Sequence, residues 1–149
     1  MILVLGIATA LMAGLYYSFS VVVVKALAQR PGTEGADAMN QINDVILKTS
    51  FMPLFFVSTL CYAGLLVWSV FYSNTVQVDL IGASLFYLLG MFGLTAFGNV
   101  PLNNQLKNSA GDPDQLLKTW HHYVRVWVRL NHIRTFSCIA ALVLLSNHL

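Results

Sequence analysis

Residues 2–24, ILVLGIATALMAGLYYSFSVVVV, contain no charged side chain. About 20 consecutive apolar residues suffice to cross the hydrocarbon of a bilayer, so this stretch predicts a membrane helix. A cleavable signal peptide needs a basic start, a shorter apolar run and a small-residue cleavage site. The stretch lacks the basic start and its apolar run is too long, so the expectation is that it stays in the protein as the first helix.

Three further segments repeat the pattern. Residues 49–75 are uncharged, with Pro53 where an early-turn proline is tolerated. Residues 80–98 are uncharged and meet Asn99-Val100-Pro101, which predicts a helix end. Val126 to Leu145 is the unusual one, since it includes Arg129, Asn131, His132 and Arg134. The whole chain of 149 residues is 57% hydrophobic and 9% charged, where soluble domains carry about a quarter charged residues. The length allows one transmembrane domain, 1–149, and the net charge of +2 is too small and scattered for nucleic-acid binding. Cys61 and Cys138 lie in apolar stretches without metal-type spacing and read as small hydrophobes.

The prediction is an all-α membrane protein: an antiparallel bundle of four transmembrane helices over about 2–27, 49–73, 80–98 and 113–146. Residues 36–48 place Met39, Ile42 and Ile46 on one side and Asp37, Asn40, Gln41 and Asp44 elsewhere, the pattern of a short helix lying in the membrane interface. Asp112-Pro113-Asp114-Gln115 is a helix start, with a capping Asp, Pro at the first position and Gln at the third. The last helix is then roughly 50 Å long at 1.5 Å per residue, and its first turns project beyond the hydrocarbon. Lys25, Arg30 and Lys48 in loop one, with Lys107, Lys118 and Arg125 around loop three, predict that these loops are cytoplasmic and both termini outside.

The fourth helix carries the functional argument. At 3.6 residues per turn, Trp120, Tyr123, Trp127, Asn131, Arg134 and Cys138 form one stripe, while His121, Arg125, Arg129 and His132 fall on the other side. With Arg125 at the membrane edge, Arg134 lies roughly 13 Å deeper by helical rise. A charge at mid-helix costs about 2.5–3.5 kcal/mol on insertion scales, so it needs compensation. The candidate partners are Asp44, Asn99, Asn103, carbonyls freed near Pro101, the indole faces of Trp120 or Trp127, or an anion supplied by a ligand or lipid. Arg125 and Arg129 can instead snorkel to headgroups, Asn99 and Asn103 can simply clip helices together, and the tryptophans can form an interfacial belt. His132 has no second histidine at i+4 for a metal, while haem needs only one axial histidine. Ala13 to Ser20 places small and hydroxyl residues where helices pack closely, and Tyr16, Tyr17 and Ser18 are available to a pocket.

Ala13-Gly14 with Phe19, Met39 with Asn43, Asn99-Val100-Pro101-Leu102-Asn103, Trp120, and Trp127-Val128-Arg129-Leu130-Asn131-His132-Ile133-Arg134 together resemble the DUF1772 family, whose members include anthrone oxygenase-like membrane proteins. The resemblance implies oxidation of a polycyclic aromatic or phenolic substrate by dioxygen, without metal or flavin. It assigns His132 as base, and Arg134 and Asn131 as stabilisers of an enolate oxygen. Substrate contacts fall to Trp120, Trp127, Arg129, Asn99, Asn103 and Tyr17. The partners expected are the bilayer and an apolar aromatic molecule or lipid, with a homo-oligomer left open. Two other readings compete: a non-catalytic pocket for a lipid, quinone or haem, and a structural or assembly subunit that uses the cluster only to lock helices.

Overall fold

The computed structural model describes residues 2–148, which form helices and no strands. The helices are α1 (Ile2–Ala28), α2 (Glu34–Ile46), α3 (Phe51–Phe71), α4 (Val78–Asn108) and α5 (Pro113–Ser146). All but α2 are long and apolar enough to cross a membrane, which makes this a multi-pass membrane protein. Lipid offers backbone groups no hydrogen bonds, so helices that satisfy their own are the form such segments take. Their outer faces carry Leu3, Leu60, Phe71, Leu89 and Phe97, all well exposed.

The helix ends follow local chemistry. The Asp112 carboxylate accepts hydrogen bonds from the backbone N–H of Asp114 (3.0 Å) and Gln115 (3.2 Å), with Pro113 opening α5. Helix α4 departs from the expected stop at Gly98 and continues to Asn108. Its backbone widens to π-helical turns over Phe86–Gly93 and Thr95–Asn99, so that the Val100 N–H reaches the Thr95 carbonyl. The wide turns lie just before Pro101 and re-space the hydrogen bonds there, so a proline does not end the helix. A similar π-turn, Phe19–Val23, interrupts α1.

Helices α1 and α4 each pack on both α3 and α5, and α2 lies against the C-terminal turns of α1, those of α4, and α5. Gly90 of α4 lets Ser137 of α5 approach so closely that a Cβ there would collide with the serine side chain, the use membrane helices make of small residues. Two clusters form the interior. One gathers Met12, Tyr62, Tyr87, Met91 and Cys138 near the N-terminal half of α1; the other gathers Val24, Met39, Leu106, Trp120 and Tyr123 near α2. Cys138 is buried and Cys61 exposed, and both are free thiols.

Candidate functional site

Between the two clusters lies a layer of polar side chains. The inward stripe of α5 buries Trp120, Tyr123, Trp127, Asn131, Arg134 and Cys138, as 3.6 residues per turn requires. Arg134 is only 5% exposed. Its guanidinium carbon lies 3.8 Å from the centre of the Tyr16 ring, a cation–π contact, and its Nε has no hydrogen-bond partner. Among the described residues the ion pairs are Lys107–Asp44 (2.7 Å) and His148–Asp79 (3.9 Å). Asp44, a candidate partner for the buried arginine, is thus engaged elsewhere, and the ring that faces Arg134 is Tyr16 and not an indole.

Three asparagines line the same pocket as this cation. Asn131 Nδ2 donates to the Tyr16 carbonyl (2.6 Å) and to Ser20 Oγ (2.7 Å), leaving its Oδ1 unpaired. Asn99 Nδ2 donates to the Trp127 carbonyl at 3.4 Å, and its Oδ1 is also unpaired. Asn43, from α2, has an unpaired Nδ2. Asn103, by contrast, acts as a clip: its Oδ1 accepts from Tyr123 Oη (2.8 Å) and Trp127 Nε1 (3.0 Å). The π-turn of α1 holds Ser20 and that of α4 holds Asn99, so both irregular stretches serve this layer. Such bulges recur at functional sites.

The unpaired atoms belong to residues lining a pocket of about 420 Å³. Helix α3 packs on α4 over Val78–Gly93, and the pocket occupies the space beside the later turns of α4, under α2. Arg134, Asn131, Asn99 and Asn43 form its polar wall; Phe51, Phe55, Phe92 and Met52 form much of the apolar remainder. Buried polar atoms are normally paired. The Arg134 cation and three asparagines, each with one unpaired atom, line an apolar cavity and so suit a ligand with an oxyanion and hydroxyl donors.

Of the residues selected from sequence, Arg134, Asn131, Trp127, Asn99 and Asn103 line this pocket. Trp120 does not: it is buried on the far side of Tyr123, stacked on it at 5.6 Å. His132, Arg129 and Tyr17 are exposed and outside it. Each helical step turns the side chain by ~100°, so His132 points away from both Asn131 and Arg134 and is not a base for this pocket. No histidine lines the cavity, so the haem alternative has no imidazole there for an axial ligand.

Tyr16, Ser20, Asn43 and the α3 phenylalanines carry more of the site than their sequence suggested. Tyr16 is four residues from Ser20 and so shares its helix face, a spacing that could have flagged the pair. The placement of Asn43 depends on how α2 docks, which local pattern does not encode. Among known proteins, the family described as anthrone oxygenase matches residues 39–144. No curated protein and no solved structure matches the chain.

Proposed function

The chain belongs to the anthrone oxygenase family, and on that premise we propose that it oxidises an anthrone-like polycyclic phenol to a quinone with dioxygen. The observation that carries this reading is Arg134, buried at 5% exposure with no carboxylate partner among the described residues, at the wall of an apolar pocket. Fixed donors in a water-poor site stabilise developing negative charge strongly, because they need not reorganise during the reaction.

The substrate itself supplies the electrons. Loss of a proton from the ring methylene gives an enolate whose oxygen is held by Arg134, with Asn43 Nδ2 as a second donor. Asn99 Oδ1 and Asn131 Oδ1 accept from neighbouring phenolic hydroxyls. The enolate passes one electron to dioxygen, and the two radicals join through a new carbon–oxygen bond to give a hydroperoxide. Loss of the second methylene proton and cleavage of the O–O bond then yield the ketone and water. The pocket lining has no imidazole or carboxylate. The proton therefore goes to water at the pocket mouth, and the pocket's work is to make the substrate acidic. Phe51, Phe55, Phe92 and Trp127 sandwich the flat rings.

Purified protein in detergent or nanodiscs should consume dioxygen when given anthrone and release anthraquinone in a one-to-one ratio. Absence of turnover above the detergent blank would sink the catalytic reading. Saturable binding without turnover would leave the alternative of a non-catalytic pocket for the same chemical class.

A further inference from the structure

The face of α5 opposite the pocket carries a second feature that the oxidation does not use. At ~100° per residue, Lys118, His121, Arg125, Arg129, His132, Phe136, Ile139 and Val143 fall on one stripe, and all of them are exposed. The chemistry changes abruptly along it. Up to His132 the stripe is cationic or titratable; from Phe136 onward it is apolar, with Phe136, Ile139 and Val143 64%, 47% and 60% exposed.

The protein does not neutralise this stripe. The chain has six acidic residues. Asp44 pairs with Lys107, Asp79 with Asn147 and His148, Asp112 caps α5, and Asp37 accepts from Thr33. Glu34 stands in the first turn of α2. Asp114 lies at the solvent end of the same stripe, one turn before Lys118 and roughly 16 Å of helical rise from Arg125. Arg125, Arg129 and His132 are left with no acidic partner among the described residues.

We infer that this face is a binding site for an anionic phospholipid. Its phosphate sits between Arg125 and Arg129, with His132 on the membrane side, and its acyl chains run along Phe136, Ile139 and Val143. The sharp change from cationic to apolar within about one turn matches the headgroup-to-chain boundary of a lipid, and a soluble anion has no use for the apolar part. Bidentate guanidinium–phosphate geometry favours arginine for such contacts. Basic side chains at the membrane surface attract anionic lipid. Neither Arg129 nor His132 enters the pocket, so the inference is independent of the proposed reaction.

The test uses the whole protein, purified in a neutral detergent, with thermal unfolding and native mass spectrometry as readouts. Phosphatidylglycerol should raise the unfolding midpoint and remain bound through gas-phase release of detergent, while phosphatidylcholine does neither. The exposed double variant Arg125→Gln/Arg129→Gln should lose most of the phosphatidylglycerol shift and at least tenfold in retained lipid. Arg125→Lys/Arg129→Lys should keep an intermediate effect, and Lys48→Gln, outside the stripe, the full effect. Equal stabilisation by both lipids, an unchanged preference in the double Gln variant, or reproduction of the effect by inorganic phosphate alone would each overturn the assignment. An acidic protein captured in place of lipid would overturn it too.

Discussion

The two halves of the bundle treat buried polar groups in opposite ways. In the half around the N-terminal part of α1, Thr9 Oγ1 and Tyr62 Oη hydrogen-bond at 2.8 Å, and Ser58 Oγ and Tyr87 Oη at 2.6 Å. The two tyrosine rings stack at 4.0 Å between centroids. These four hydroxyls are matched inside a dry core, as the cost of an unpaired buried group demands, while Ser69 Oγ nearer the end of α3 is left without a partner. Next to α2, Arg134, Asn131, Asn99 and Asn43 line a cavity and each keeps one buried atom unmatched. The first arrangement is complete without a ligand. The second leaves hydrogen-bonding capacity that the protein itself does not use.

That contrast predicts how substitutions should divide. The largest effect belongs to Arg134. Arg134→Met should lower turnover of anthrone by about 10²–10³-fold, as loss of one oxyanion donor does elsewhere, read by oxygen uptake. The same change should not lower the thermal stability of the ligand-free protein in detergent. Removing a buried charge that lacks an acidic partner is neutral or stabilising by up to about 1–3 kcal/mol, which offsets the lost cation–π contact with the Tyr16 ring. A variant both inactive and much less stable would make Arg134 a structural residue and erase the distinction.

In the dry half the order reverses. Gly90→Ala forces a methyl group into Ser137 and should cost about 1–3 kcal/mol of stability. Turnover per folded molecule should stay within about twofold, since the contact lies in the other half; the check is activity normalised to folded protein. Tyr62→Phe strands the Thr9 hydroxyl against its backbone carbonyl alone and should cost about 1 kcal/mol. The pair Tyr62→Phe/Thr9→Val should recover part of that loss in a double-mutant cycle. Smallest of all, His132→Gln should change turnover less than twofold, because the ring faces outward. A large loss there would restore His132 as a base and require α5 to rotate.

Much of this was legible in the sequence for identifiable reasons. Uncharged runs gave the spans because lipid excludes charge, and Asp112-Pro113 gave the start of α5 because capping is local. The inward stripe followed from helical period alone, and it placed Trp127, Asn131 and Arg134 together. The crossing of Asn99 and Asn103 to α5 was likewise readable from their position at the end of an apolar run. Other features depend on distances no local pattern carries. The π-turns that let α4 continue past Pro101, the Tyr16 ring facing Arg134, and Asn43 brought in by α2 are set by tertiary packing. His132 was drawn in by its chemistry, although the same period that selected Arg134 turns it to the outside.

Stabilisation of an oxyanion by Arg134 should be visible in a coloured ligand without any turnover. A hydroxyanthraquinone changes its visible absorption when its phenol ionises. Bound to the purified protein at a pH where the free dye is neutral, it should show the spectrum of the anion, and Arg134→Met should bind it in the neutral form. A bound dye that stays neutral in the native protein, or ionises equally in both proteins, would show that Arg134 stabilises no oxyanion in the pocket.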